Sequence, residues 1–255
     1  VKKMFFIDTS RNGKPVYNAI VNQSLDNYLV NDLRLPGHGL ILYVNNPSVI
    51  IGVHQNAYAE VNFPYLKEKN KKVFLDLKLQ DIPNTVAHSL AVLTRLGVDI
   101  LNVHAVGGAK MMAEGAKAVR IAAAALHRPA PKLIAVTVLT SMDDAQWEQL
   151  HYAQPIAQQV LSLAQLAKES GLDGVVASPR EAGEIRKACG KDFLIVTPGV
   201  RPAWSAKNDQ SRIATPKAAL ENGSTHLVVG RPITQAADKK AAAAKILEEM
   251  KEAAI

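Results

Sequence analysis

From residue 72 onward, short runs of apolar residues alternate with longer segments in which apolar residues recur at helical spacing. The clearest helical segment spans 152–170, where Ile156, Val160 and Leu163 fall on one face. Strands that are short and almost continuously apolar, separated by helices, predict a parallel sheet covered by helices. The predicted strands lie at 73–77, 100–104, 133–138, 174–178, 193–197 and 226–229.

Upstream of residue 72 the pattern is less regular. It predicts a strand at 4–8, helices at 16–33 and 57–70, and strands at 40–45 and 48–53. With one of the two middle strands included, the count reaches eight, which predicts an α/β fold of the (β/α)8, TIM-barrel type. The strand pair within 40–53 is hairpin-like and departs from the alternation, so the N-terminal segment is an atypical source of the first strands.

The strand at 73–77 leads into an unusual group of charges. Side chains alternate along a strand, so Asp76 and Lys78 are expected on one face, and Asp81 follows just past the strand end. An Asp-x-Lys pair alone is most simply interpreted as an ion pair at a barrel mouth. The segment Asp81-Ile82-Pro83-Asn84-Thr85 that follows favours a functional site over an isolated ion pair.

The pattern D-x-K-x-x-D-I-P-x-T, present here from Asp76 to Thr85, resembles the hallmark of the orotidine 5'-phosphate decarboxylase family. The resemblance extends from about Phe63 to the C-terminus and includes several further motifs in the family's order. They are Val103-His104-Ala105 with Gly107-Gly108, the run 135–141, the run Thr197-Pro198-Gly199-Val200-Arg201-Pro202, the run 209–212 and the run Val229-Gly230-Arg231-Pro232-Ile233-Thr234.

This resemblance implies a lyase that converts orotidine 5'-phosphate to UMP in pyrimidine biosynthesis without a cofactor. It implies that Lys78 is the general acid that protonates C6 of the pyrimidine, with Asp76 beside the departing carboxylate. In the family the residues matching Asp81 and Thr85 reach the site of a neighbouring subunit, so the resemblance also implies a homodimer.

Phosphate binding is expected at the last two strands, because the final loops of such barrels commonly hold phosphate. Arg201 follows the seventh predicted strand, and Gly230 and Arg231 follow the eighth. The resemblance implies that Arg201, Gln210 and Arg231 meet the nucleotide phosphate and that Thr140 contacts the pyrimidine. The structural alternatives are arginines that pair with nearby carboxylates and a threonine in a local hydrogen bond.

The first 62 residues do not follow this family and resemble the start of a lipoate-protein ligase. The resemblance is carried by Phe5-Phe6-Ile7-Asp8, the stretch from Asn18 to Leu29, the run from Leu42 to Gly52, His54-Gln55-Asn56 and the run from Tyr58 to Asn62. The Arg-Arg-x-Ser-Gly-Gly-Gly segment expected next in that family is missing. The chain is therefore interpreted as a hybrid, 1–62 and 63–255, with its junction near residues 60–72.

One role implied by the decarboxylase resemblance has no candidate. The family places an Asp at the end of its first strand and a Lys at the end of its second, and both touch the ribose. Asp8 fits the first position, but no lysine lies between Lys14 and Lys67. We therefore expect turnover to be much reduced or absent.

Composition narrows the partners. The net charge of +7 favours an anionic ligand, but aromatic residues make up only 5% and basic–aromatic interleaving is missing, so nucleic acid is not expected. No apolar run approaches the roughly 18 residues that span a bilayer, and the signal-peptide pattern is missing. A lone Cys189 suits the reducing cytoplasm. Histidine spacing predicts no metal site, and His104 is interpreted as a packed core residue.

Three alternatives remain open. A Mg²⁺-dependent sugar-phosphate decarboxylase or aldolase of the same suprafamily shares D-x-K-x-x-D but lacks the Asp-Ile-Pro-x-Thr segment. A lipoate ligase would need the missing glycine-rich segment. A barrel that binds phosphate without catalysis would fit a broken charge array.

Overall fold

The computed structural model describes residues 40–43, 47–52, 71–204 and 214–253 of the 255-residue chain. The predicted strand at 4–8, the predicted helices at 16–33 and 57–70 and the predicted junction near 60–72 lie outside these residues or at their margin. No helix within the described ranges combines the length and the apolar character needed to cross a bilayer.

Eight strands close a barrel in chain order. From β2 to β8 each strand is parallel to the next, whereas β1 is antiparallel to both of its neighbours, β2 and β8. The predicted α/β barrel and its six strands after residue 72 are confirmed, with small shifts at the strand ends. The strands are β1 Leu40–Tyr43, β2 Pro47–Gly52, β3 Lys72–Leu79, β4 Ile100–His104, β5 Lys132–Val136, β6 Gly174–Val176, β7 Leu194–Thr197 and β8 His226–Val229.

The hairpin corrects one expectation. Only one of the two strands within 40–53 was expected in the barrel, yet both enter it, with Leu40 opposite Ile50 and Ile41 opposite Val229. Parallel neighbours require a crossover of a dozen or more residues. Only residues 44–46 join β1 to β2, so an antiparallel arrangement is forced.

Helices follow most strands and pack on the outside of the barrel. Pro83 occupies the first turn of α1, as its position after the charged strand predicts. The predicted helix at 152–170 is confirmed as α4. The helices are α1 Pro83–Thr94, α2 Gly108–Ala125, α3 Asp144–Glu148, α4 Ile156–Glu169, α5 Ala182–Cys189, α6 Pro216–Glu221, α7 Arg231–Thr234 and α8 Lys239–Glu252, with a 3-10 turn at Ala105–Gly107.

Alternation along the strands divides the buried apolar residues into an inner and an outer core. The inner core fills the barrel and contains Phe74, Ile100, Ile134 and Val196. The next residues along the same strands face outward to the helices and form the outer core with helix residues such as Leu90 and Met111. Fully burying a side chain of this size contributes about 1.5–3 kcal/mol. These two layers hold the strand ends, and the side chains on them, in fixed positions.

At the amino end of the barrel, the residues that directly precede β4, β6 and β8 bond to the strand before. Asp99 accepts the N–H of Val73 at 2.8 Å, and Asp173 accepts the N–H of Leu133 at 2.9 Å. Thr225 does the same for Ile195 with its hydroxyl oxygen, at 2.9 Å. These side chains satisfy backbone donors where the strand ladders begin.

Candidate active site

The carboxyl ends of the strands surround a cavity of about 340 Å³. Six of the residues singled out in the sequence line it, although they come from four different strand ends: Asp76, Lys78, Thr140, Arg201, Gly230 and Arg231. Its deeper wall is apolar and includes Phe74, Val176 and Val228 from the inner core. The cavity therefore joins a charged strand end to two arginines across an apolar floor.

Asp76 and Lys78 form an ion pair in which Lys78 Nζ lies 2.6 Å from Asp76 Oδ2. The Asp76 side chain is 14% exposed and the Lys78 side chain 34%. Two charges shielded from water to this degree attract each other more strongly than the charges of a surface ion pair do. Removing one of them therefore destabilises the other more. The expected orientation of both side chains toward one space is what the structure shows.

The two side chains do not reach this orientation through the regular side-chain alternation of a strand. The pairing of β3 with β4 is regular up to Leu75 opposite Leu101 and resumes only at Leu79 opposite Val103. Four residues along β3 thus span two along β4, and Lys78 has a φ of +54°. The strand bulges at the charged pair, which re-aims the side chains next to the cavity.

Asn102 contacts both members of the ion pair and was not predicted from the sequence. Its Nδ2 donates to Asp76 Oδ1 at 2.5 Å, and its Oδ1 accepts the backbone N–H of Lys78 at 2.8 Å. A signal was available, because Asn102 is a polar residue in an apolar strand and shares a face with Ile100, which points into the barrel. A buried amide on the strand beside Asp76 and Lys78 needs hydrogen-bond partners.

His104 ends β4 on the same face as Asn102 and is partly buried. Burial lowers its pKa, the positive charge of Lys78 lowers it further, and the negative charge of Asp76 opposes both. The imidazole is therefore neutral near pH 7. His104 is not among the residues that line the cavity, and its interpretation as a packed residue stays a prediction.

The opposite wall carries the arginines. Arg201 is 7% exposed, and its Nη1 donates to the carbonyl of Val200 at 2.9 Å. The backbone N–H of Arg201 donates to the carbonyl of Ala214 at 2.9 Å, which fixes the start of the loop after β7. Gly230 caps the short helix α7, in which Arg231 is the first residue. Two guanidinium groups thus follow the last two strands, as predicted.

Thr140 lies on the segment between β5 and α3, is 9% exposed and lines the cavity together with Ser141. Ser141 belongs to the motif used for the resemblance, but no role was assigned to it.

The remaining predicted residues are placed differently. Asp81 is exposed in the turn after β3, where its Oδ1 accepts the N–H of Ile82 at 2.6 Å, and Thr85 lies in the first turn of α1. Neither lines the cavity. Asp8 and Gln210 lie outside the described residues. Within the described ranges no group of three or more His, Cys, Asp or Glu residues is arranged to hold a metal ion.

The chain is similar in sequence, and in one case in structure, to proteins of known name. The chain is 56% identical to the orotidine 5'-phosphate decarboxylase of Moorella thermoacetica over 186 residues, which cover 72% of this chain and 74% of the relative. It is 52% identical to the enzyme of the same name from Syntrophotalea carbinolica, with 72% and 76% covered. The crystal structure of orotidine 5'-phosphate decarboxylase from Lactobacillus acidophilus matches with a TM-score of 0.66 and 42% identity, covering 79% of this chain and 86% of that one.

Two family models match the chain, over ranges that overlap between residues 57 and 75. The lipoyl protein ligase A/B catalytic domain matches residues 18–75, which confirms the predicted N-terminal resemblance. The model described as the orotidine 5'-phosphate decarboxylase / HUMPS family matches residues 57–246, a span that contains β3 to β8 and every described residue of the cavity. Because that match covers most of the chain, the chain belongs to the orotidine 5'-phosphate decarboxylase / HUMPS family.

Proposed function

We propose that this chain catalyses the cofactor-independent decarboxylation of orotidine 5'-phosphate to UMP, a step of pyrimidine biosynthesis. The observation that carries the proposal is the Asp76–Lys78 pair on one side of a cavity whose other side holds Arg201 and Arg231. A nucleotide can place its phosphate at the arginines and its base at the charged pair. Identities of 50–56% to proteins named as this decarboxylase support the same reaction.

The reaction breaks the bond between C6 of the pyrimidine and its carboxylate carbon. Carbon dioxide leaves, and the electron pair of that bond stays on C6. The ammonium group of Lys78 stabilises this negative charge and donates a proton to C6, which gives UMP. Asp76 holds the ammonium at 2.6 Å and lies beside the departing carboxylate, whose negative charge it repels.

Phosphate binding is assigned to Arg201, Gly230 and Arg231, and to Gln210, which falls between β7 and α6 in the sequence. Guanidinium groups give planar, charge-assisted hydrogen bonds to phosphate oxygens. A glycine at the last strand end lets backbone N–H groups approach the phosphate closely. Contacts far from C6 supply binding energy that positions the base against Lys78, where Thr140 meets the pyrimidine.

Turnover is proposed to be slower than that of a relative with a complete charge array. Lys78 is the one cation in ion-pair contact with Asp76 among the residues described. The barrel position between β8 and β3 is filled by the hairpin, and residues 40–52 contain no lysine or arginine. The strand that is expected to carry the second lysine therefore has none. Asp8 is our candidate for the aspartate that contacts the ribose. The boundary between 1–62 and 63–255 remains our proposal.

We also propose a homodimer that acts in the cytoplasm. Asp81 and Thr85 lie outside the cavity, next to Ile82, which is 66% exposed. Val106, in the turn after the neighbouring strand β4, is 44% exposed. Because Ile82 and Val106 follow neighbouring strands at the same barrel end, we expect both to form part of the subunit interface. Sedimentation of the unaltered chain and of Ile82→Lys tests this. We expect a dimer for the unaltered chain and a monomer for the variant, and equal masses for the two would contradict the proposed interface.

The reaction is tested by following the absorbance of orotidine 5'-phosphate with and without EDTA. We expect a loss of absorbance that EDTA does not change. Turnover that EDTA abolishes would favour the Mg²⁺-dependent alternative, and UMP binding without conversion would favour the non-catalytic barrel.

A further inference from the structure

One buried amide touches both members of the charged pair. Asn102 is 1% exposed in the middle of β4, and both ends of its side chain are used on the neighbouring strand β3. Its Nδ2 donates to Asp76 Oδ1 at 2.5 Å, and its Oδ1 accepts the N–H of Lys78 at 2.8 Å. The opposite amide orientation would set an oxygen against the Asp76 carboxylate, so these two contacts determine the orientation.

The contact with the Lys78 backbone occurs where the strand ladder is interrupted. Regular pairing of β3 with β4 stops at Leu75 and resumes at Leu79, so the N–H of Lys78 is bonded by a side chain instead of a strand carbonyl. Lys78 also has a φ of +54°, a region that residues with a Cβ rarely adopt. Such a conformation persists where surrounding contacts hold it, and Asn102 provides one of them.

The contact with Asp76 fixes the direction of the ammonium group. Asp76 Oδ1 accepts from Asn102, and its other oxygen, Oδ2, accepts from Lys78 Nζ at 2.6 Å. With one oxygen held by a buried amide, the carboxylate plane is set and the second oxygen aims the ammonium. Asn102 thereby acts on Lys78 twice, through its backbone and through Asp76.

We propose that Asn102 is a positioning residue for the decarboxylation: it holds the bulge of β3 and the plane of Asp76 so that Lys78 points at C6 of the bound pyrimidine. This rests on the proposed function, since it names what aims the general acid of that site. A purely structural role would stabilise the barrel without affecting how the cavity distinguishes charges at C6.

Two variants and one control separate these roles. Asn102→Asp keeps an oxygen for the N–H of Lys78 but loses the donor to Asp76, whereas Asn102→Leu has nearly the same size and loses both bonds. Thr94→Val is the matched control, because Thr94 is also buried and its hydroxyl donates to the carbonyl of Leu90 at 2.8 Å, in α1 and away from the cavity.

The experiment compares the affinity of the full chain and its variants for UMP and for a UMP analogue with a negatively charged oxygen on C6. The ratio of the two affinities reports how well the ammonium faces C6 and needs no turnover. We expect both Asn102 variants to lose roughly tenfold or more of the preference for the analogue while UMP affinity changes by no more than about twofold. Their kcat should fall with little change in KM, and Thr94→Val should keep the preference.

The failures are distinguishable. If the unaltered chain does not bind UMP, the proposed function is contradicted and the inference falls with it. If it binds UMP and prefers the analogue, but both Asn102 variants keep that preference and kcat, only the inference is overturned. An equal loss of both ligands, or a failure of both variants to fold, would make Asn102 a residue of the fold alone and would also overturn it.

Discussion

The two ends of the barrel use aspartate–lysine pairs in different ways. At the amino end, Asp99 and Asp173 accept backbone N–H groups of the neighbouring strand, and their lysine partners, Lys72 and Lys132, are 63% and 58% exposed. At the carboxyl end, the Asp76 carboxylate accepts from the side chains of Lys78 and Asn102 and, among the residues described, from no backbone N–H group, and its lysine partner is 34% exposed. The aspartate of each pair thus bonds to the backbone at one end, whereas at the other end both members of the pair line a cavity.

The difference shows which end maintains the fold and which end is available for chemistry. Carboxylates that satisfy backbone donors lock the strand starts in register, and the exposed lysines add little to this. Around Asp76 the backbone is bulged and Lys78 lies at positive φ, so the pair is held in a less favourable conformation. In barrels of this type chemistry sits at the carboxyl end and stability at the other.

The largest effect is expected for Lys78→Ala, which should abolish turnover and leave UMP binding measurable, because phosphate contacts supply most of the product affinity. The measurement is the rate of orotidine 5'-phosphate decarboxylation beside the UMP affinity. Lys132→Ala is the control at the amino end and should keep both. Appreciable turnover by Lys78→Ala would contradict the assignment of the general acid.

At the amino end, acid should weaken the fold through His226. Burial lowers the pKa of His226 to about 4 from an ordinary 6.5. Between those values the unfolded chain binds a proton that the folded chain does not, so stability is present above pH 6.5 and is lost as the pH falls toward 4. The linked loss is about 2–3 kcal/mol.

Urea unfolding between pH 7 and pH 4 measures this loss, and His226→Gln should show a shallower fall over the same range. Carboxylates contribute to the slope in both chains, so the difference between the two curves is the quantity to compare. Parallel curves would show that His226 is not the group responsible.

Arg231→Ala should weaken UMP binding by at least tenfold, because removing a charge-assisted partner of a phosphate costs about 1.5–3 kcal/mol. Uridine, which has no phosphate, should bind the variant as it binds the unaltered chain. Arg128→Ala provides the control, since Arg128 is exposed at the amino end. Calorimetric titration gives both affinities, and equal losses for UMP and uridine would make Arg231 a structural residue.

The smallest effect is expected for Asp173→Ala. It leaves the N–H of Leu133 without its acceptor and should lower the free energy of unfolding by about 1–2 kcal/mol without changing UMP affinity. Lys132→Ala removes only the exposed partner and should cost less than about 1 kcal/mol. Denaturant unfolding of the two variants measures both free energies. A larger loss for Lys132→Ala than for Asp173→Ala would show that the ion pair, and not the bond to the backbone, stabilises this end of the barrel.

The sequence predicts β3 to β8 well because each is an apolar run between helices, and barrel closure then brings Asp76, Thr140, Arg201 and Arg231 to one rim. The hairpin was only partly predicted, since apolar character shows that a strand exists but not how many strands the barrel accepts. The bulge was not predicted either. Lysine does not signal a positive φ, and the conformation depends on Asn102, a residue more than twenty positions away.

A reaction with enzyme in excess of substrate shows most directly whether the carboxyl end of this barrel decarboxylates orotidine 5'-phosphate through Lys78. Slow conversion that steady-state absorbance would miss is then counted as UMP formed per site, in the presence of EDTA. We expect stoichiometric UMP from the unaltered chain, at a rate below that of the Moorella thermoacetica relative, and none from Lys78→Ala. Bound nucleotide that is never converted, or equal conversion by both chains, would contradict this expectation.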